Sequence, residues 1–338
     1  TNALVVAGTN AARHRLQLTN DAVQIEAASV TLNAATLALG RNEWYQGVDL
    51  YRGGAIGPTL ACAGDFILTN SSSFAIWGGL TNPGAPESIG ARILVDGNLT
   101  VYSNCWVCPA AHPTNGAVPL FTVSNLAVDV HGGFNANNLG FAGARRVLGS
   151  DGLLPAYGPG VSTSTWNRGS GHGGLGAGEL GPTYGDPNAP VLPGSGARCS
   201  GNGGSSADAP CGGGSVQIRA EDKVAVYGRI QANVAKILQD EAYYRGPGSS
   251  GGSIYIICDT FIGDSNTVLS ADAEQSQANY RSYYGGGGGR IAVWRANDLS
   301  GGLVSNSVLG GVGEYATGYP GTVVWGQVPV PGTVIRFR

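Results

Sequence analysis

The chain has 338 residues, 42% of them hydrophobic and only 12% charged, with a formal net charge of −3. That much apolar residue in one chain can bury a large core, which excludes disorder for most of it, and a weak net charge with scattered arginines leaves no footprint for nucleic acid. No apolar run reaches the roughly 18 residues of a membrane span, so no membrane span is expected.

The chain opens on Ala3-Leu4-Val5-Val6-Ala7, which is apolar and strand-like. Ala27 to Ala38 hints at a helical period, but Val30-Thr31-Leu32-Asn33 alternates and its β-branched content favours a strand. The same period-two phrase recurs at Phe66-Ile67-Leu68, Ile93/Val95, Leu99/Val101, Phe121/Val123, Leu126/Val128 and Phe134/Ala136. Short runs of this kind, bounded by Gly, Asn, Asp and Ser, are half-buried strands whose inner side chains line a narrow core. Among them lies Cys105-Trp106-Val107-Cys108, which has neither the βαβ context of a redox motif nor the second ligand pair of a zinc site. On one straight strand its two sulfurs would stand about 10 Å apart, too far to bridge.

From Phe141 to Gly214 the apolar phrase stops and Gly, Pro, Ser and Thr take over. A glycine-rich chain without side chains to clash can lie flat along a sheet and fill its hydrogen bonds against itself. Gly171-His172-Gly173 matches one tripeptide of pectin-cleaving hydrolases, yet the paired aspartates that such inverting chemistry needs are missing. Gly176-Ala177-Gly178-Glu179-Leu180-Gly181 has the dinucleotide-binding spacing without its strand and helix. Cys199 and Cys211 bracket a short polar loop, and a disulfide between them would hold it.

Three copies of one phrase follow: Gly214-Ser215-Val216-Gln217-Ile218, Gly252-Ser253-Ile254-Tyr255-Ile256 and Gly289-Arg290-Ile291-Ala292-Val293, spaced 38 and 37 residues apart. Each is followed by two further short apolar pairs: Val224/Val226 and Ile230/Ala232, then Phe261 and Leu269/Ala271, then Leu299 and Leu303. A three-strand unit at nearly constant spacing predicts stacking of each round on the last, with Val216, Ile254 and Ile291 in one row and Ile218, Ile256 and Val293 in the next. Gly248-Ser249-Ser250-Gly251-Gly252 satisfies G-x-S-x-G, but a strand follows where a nucleophile elbow needs a helix. Tyr243, Tyr244, Tyr280, Tyr283 and Tyr284 could offer flat amphipathic rings to sugars. The chain closes on Thr333-Val334-Ile335-Arg336-Phe337-Arg338, again strand-like.

Phe121-Thr122-Val123 to Asn135-Ala136-Asn137, the glycine excursion with Tyr184-Gly185, and the three phrases from Gly214 to Ala292 together resemble the glycine-rich parallel β-helix domains of very large secreted bacterial surface proteins. The resemblance spans residues 120 to 300 and implies surface or adhesive roles without a defined catalytic site.

The expected architecture is therefore all-β: a right-handed parallel β-helix forming one elongated domain over 1–338, with a glycine-rich insertion over 142–213. The expected function is an extracellular or cell-surface structural subunit, a self-assembling filament joined head-to-tail by strand addition through Leu4, Val5, Val6, Val334, Ile335 and Phe337. The alternatives are a carbohydrate-binding adhesin with a polysaccharide partner and, third, a polysaccharide hydrolase or lyase. No catalytic, cofactor or metal residue is assigned. The even number of cysteines favours an oxidising compartment, and the absence of methionine even at position 1 implies a processed product.

Overall fold

The computed structural model describes residues 2–8, 14–18, 23–40, 57–80, 89–146, 153–163, 168–178, 181–198, 209–234, 247–273 and 282–328. Every regular element among them is a strand. In chain order these are β1 (Leu4–Ala7), β2 (Arg15–Leu18), β3 (Gln24–Ala27), β4 (Val30–Asn33), β5 (Thr36–Leu39), β6 (Thr59–Cys62), β7 (Phe66–Thr69), β8 (Ser73–Trp77), β9 (Ile89–Val101), β10 (Trp106–Ala110), β11 (Val118–Val128) and β12 (Gly133–Asn135). They continue as β13 (Arg145–Arg146), β14 (Leu153–Leu154), β15 (Ser215–Val226), β16 (Arg229–Gln231), β17 (Ser253–Gly263), β18 (Val268–Ser270), β19 (Ser282–Tyr284), β20 (Arg290–Asp298), β21 (Ser305–Ser307), β22 (Gly313–Ala316) and β23 (Thr322–Gln327).

The chain alternates between two sheets. An 11-stranded sheet runs β1-β4-β7-β9-β11-β15-β17-β20-β23, with β3 and β6 joining it beside β9, and an 8-stranded sheet runs β2-β5-β8-β10-β12-β16-β18-β21. All pairings in both are parallel. Early in the chain the larger sheet takes two short strands per round, such as β6 and β7. From β9 onward they merge into one long strand, whose Arg92 to Val95 pair with β6 and whose Leu99 to Val101 pair with β7.

Because side chains alternate across a strand and the pairing is parallel, equivalent inner residues stack in rows. One row reads Ile25, Leu60, Ile93, Phe121, Ile218, Ile256, Val293 and Trp325. A second reads Leu4, Val30, Phe66, Leu99, Leu126, Val224 and Phe261. The third, from the smaller sheet, reads Leu16, Leu37, Phe74, Val107, Phe134, Ile230 and Leu269. Edge contacts between rows, Phe66 with Phe74 at 5.1 Å and Phe121 with Phe134 at 5.2 Å, close the three onto one core. The two rows anticipated from the repeated phrase, through Val216 and through Ile218, pair in that register.

The third copy departs from expectation after β20. Leu299 and Leu303 do not form inner pairs but stand 63% and 60% exposed. Asp298 ends the strand by accepting the Ser300 N–H at 2.9 Å and the Ser300 hydroxyl at 2.6 Å, and this turn swings the following leucines outward. Asn306 of β21 then takes the row position above Leu269.

The glycine tracts form layers beside the larger sheet. Residues 193–197 show the pattern: Gly194 N–H donates to Gly213, Gly196 to Tyr157 and Ala197 to Pro210, while the carbonyls of Gly194, Ser195 and Ala197 accept from Phe141, Ser250 and Ala144. A flat strand bonds two neighbours; this run bonds four. Such a run takes its hydrogen bonds from other segments, as a chain without internal hydrogen bonds must. The layers recruit runs beyond the expected 142–213 insertion, since residues 248–252, 285–289 and 316–321 interleave with it through bonds such as Gly287 N to Ser170 O, Gly173 N to Gly288 O and Tyr319 N to Leu175 O. The excursion then straps across the outer face of β15, β17 and β20, where Gln217 Nε2 donates to Val191 O, Ser253 Oγ to Leu192 O and Trp294 Nε1 to Asn188 O.

Candidate functional site

The two ends of the sheets are built differently. At the N-terminal end all three rows begin, among the described residues, with apolar side chains, Ile25, Leu4 and Leu16, each partly buried against the core. At the other end the smaller sheet closes in Asn306 and the second row in Asp298, which pairs with Arg295 at 2.8 Å. The strip ending in β23 stays apolar, and Val304 and Val308 beside β21 also pack against the core. In β23, Val323, the next member of the fully buried series Val216, Ile254 and Ile291, is 40% exposed. Trp325 half-closes the core with its ring edge-on to Phe261 at 5.2 Å and under the Arg295 guanidinium at 5.0 Å. Of the large hydrophobics that are exposed, Leu299, Leu303, Leu309, Val312, Tyr315, Tyr319 and Val323 all come from this last round.

The backbone at both edges has free donors. Thr59 N–H donates to Val23 and Ala63 N–H to Ala27, so in β3 it is Gln24 and Glu26 whose N–H groups point away from β6. Thr322 donates to Gly289 and Val328 to Arg295, which leaves the N–H groups of Val323, Trp325 and Gln327 on the open side of β23. Leu4, Val5 and Val6 lie in β1, at the edge of the larger sheet. Val334, Ile335 and Phe337 lie outside the described residues.

A buried polar cluster sits within the glycine layers. His172 donates from Nδ1 to Gly251 O at 2.8 Å, its ring lies 4.5 Å from that of Tyr184, and its Nε2 is buried without a partner. Burial, aided by Arg290, pushes its pKa down to about 3, so the ring is neutral. The Tyr184 hydroxyl donates to Pro193 O at 2.6 Å and accepts from Ser195 Oγ at 3.0 Å, while Arg290 donates to Tyr184 O at 3.0 Å and Thr322 Oγ1 at 3.0 Å. These side chains are spent on backbone carbonyls and so tie the excursion to β20 and β23. In the G-x-S-x-G stretch, Ser249 Oγ donates to Pro210 O and Ser250 Oγ accepts from Ser195 N. Neither hydroxyl is hydrogen-bonded to His172.

Of the tyrosines weighed for sugar stacking, Tyr243, Tyr244 and Tyr280 lie outside the described residues, and Tyr283 falls in β19. Tyr284 carries the Arg168 guanidinium over its ring at 4.3 Å and lies 5.6 Å from the ring of Tyr315 on β22. No pattern in the sequence pairs Arg168 with residues so distant, so the reading of residues missed it.

Cys199 lies outside the described residues, which leaves its bond with Cys211 as an expectation. Cys62, Cys105, Cys108 and Cys258 are thiols, not disulfides. Burial pushes them away from the reactive thiolate, Cys108 to about 11 and Cys258 to about 12. Among the described residues no group of His, Cys, Asp and Glu is placed to hold a metal ion. No helix among them is long and apolar enough to cross a membrane.

Comparison with protein-family models, with curated proteins and with solved structures returns no match for this chain.

Proposed function

We propose that the protein is an extracellular structural subunit, a right-handed parallel β-helix whose copies join head-to-tail into a filament. The regular alternation between two parallel sheets around one core supports the solenoid, and the strong preference of parallel crossovers for the right hand supplies its sense. The observation that carries the assembly is the apolar strip at β23, where Val323, next in a row buried through three rounds, is 40% exposed. An edge strand with unpaired donors and a half-exposed apolar face is a template for another strand. Because all strands of the two large sheets run parallel, a second copy in the same orientation continues the sheet without reversing polarity. Such a contact is heterologous and propagates.

Sedimentation and negative-stain microscopy across a concentration series test the reading. Filaments whose length grows with concentration are expected; a monomer that persists to the solubility limit would overturn it.

A further inference from the structure

Two stretches, Asn70-Ser71-Ser72 and Asn98-Leu99-Thr100, place a hydroxyl two residues after an asparagine, and no other asparagine of the chain has that spacing. This is the acceptor pattern for N-linked sugar, which is used where the asparagine reaches the surface of a secreted chain. Both side chains meet the surface condition. Asn70 is exposed at the corner between β7 and β8, where Asn70 and Ser71 take φ values of +54° and +59°. Asn98 is exposed within β9, opposite the irregularity of β11 between Val123 and Asn125. An asparagine amide has two N–H donors. Asn70 gives one to Asn33 Oδ1 at 2.7 Å and Asn98 gives one to Asp65 Oδ1 at 2.9 Å, each in the round before. Because a sugar replaces a single amide hydrogen, each asparagine can carry one and keep its bond to the neighbouring round. Asn104 supplies a contrast in the corresponding corner one round on: it too is exposed, with φ +62°, but Trp106 stands where the hydroxyl would be.

We propose that Asn70 and Asn98 carry N-linked oligosaccharides in the protein as its cells secrete it, an inference that rests on the extracellular part of the reading above. In the transfer the amide nitrogen attacks the anomeric carbon of a lipid-diphosphate-linked oligosaccharide. The nitrogen–carbon bond forms, the bond from that carbon to the diphosphate oxygen breaks, the lipid diphosphate leaves, and the amide gives up one proton to a base of the transferase. The fold also orders the events. Ser72 is wholly buried, with its hydroxyl donating to Thr69 O at 2.5 Å and accepting from Ala35 N at 3.2 Å, so a transferase reads it only before the corner closes. Neither asparagine belongs to β3 or β23, so the modification does not use the edges assigned to assembly.

Peptide mass spectrometry of the full protein from the cells that make it, before and after treatment with peptide-N-glycosidase, tests the proposal, with cell fractionation alongside. The Asn70 and Asn98 peptides should carry sugar mass that the enzyme removes, leaving aspartate at each position, and the Asn104 peptide should be unmodified. Unmodified asparagine at Asn70 or Asn98 in protein recovered outside the cells would overturn the proposal for that position, and enzyme-sensitive sugar on Asn104 would overturn its chemical basis. Protein found only inside the cells would overturn the extracellular reading and this proposal with it, which tells the two failures apart.

Discussion

A Cβ added to Gly252 would sit 1.9 Å from the carbonyl oxygen of Gly214, and one added to Gly285 would sit 1.7 Å from that of Gly311. The glycine content is therefore a packing requirement, because in these layers backbone lies directly on backbone and no side chain fits between. Gly252→Ala should cost about 3 kcal/mol or more, since the obstructing atom is main chain and cannot rotate away. Gly301, with nothing within 4 Å and φ +62°, should lose only about 1 kcal/mol as Ala, from backbone strain alone. Urea midpoints of the two variants check the contrast. The buried histidines make a second prediction at this scale. Burial holds His172 at about 3 and His112 at about 4, against 6.5 in the open chain. Below pH 6.5 the unfolded chain gains protons that the folded chain refuses, so stability is full above that pH and falls as pH drops toward 3. His172→Gln should flatten this decline by about 1.4 kcal/mol per pH unit, the share of one proton, as read from urea unfolding at pH 4 and pH 7.

At the scale of the elements, Ile256 stands in mid-row between Ile218 and Val293 and is fully buried. Ile256→Ala should cost about 2–5 kcal/mol, because rows above and below hold the cavity open, whereas Leu299→Ala should change stability by less than about 0.5 kcal/mol. Thermal unfolding of both separates a ladder residue from one that merely looks like it in sequence. The contrast also shows what could be read beforehand. Parallel stacking repeats the same inner positions every round, so Val216, Ile254 and Ile291 announce their register through spacing alone. Leu299 and Leu303 carry the same apolar signal, but the turn after Asp298 depends on a Ser300 side chain, and composition does not reveal that. The glycine layers have no apolar period at all. Their partners lie far apart along the chain, with Arg290 reaching His172 across 118 residues, so the composition suggested self-packing while the interleaving with residues 285–289 stayed hidden. The corner ladder in which Asn233 N donates to Asn137 Oδ1 and Asp272 N to Asn233 Oδ1 was equally invisible, since Asx residues at corners serve turns in any fold.

For the whole molecule, the proposed head-to-tail assembly implies which edges would meet. The first core row begins at Ile25 in β3 and ends at Trp325 in β23, so continuing that row from one copy to the next sets β23 against β3. The polar ends at Asp298 and Asn306 would then keep the contact to this strip and its exposed apolar flank, and prevent the whole cross-section from sticking indiscriminately. Strand addition needs the outward N–H groups of both edges, Gln24 and Glu26 on one side and Val323, Trp325 and Gln327 on the other. Glu26 is an exposed side chain whose N–H plays no part in the β3–β6 ladder. Glu26→Pro therefore removes one intermolecular donor and puts a ring at the edge while leaving the intramolecular bonds in place, and the extended conformation it imposes on Ile25 is the one already present. The variant should fold with a thermal midpoint close to that of the parent and form no filaments. Filaments of unchanged length from a folded Glu26→Pro protein would show that β3 is not the edge that joins copies.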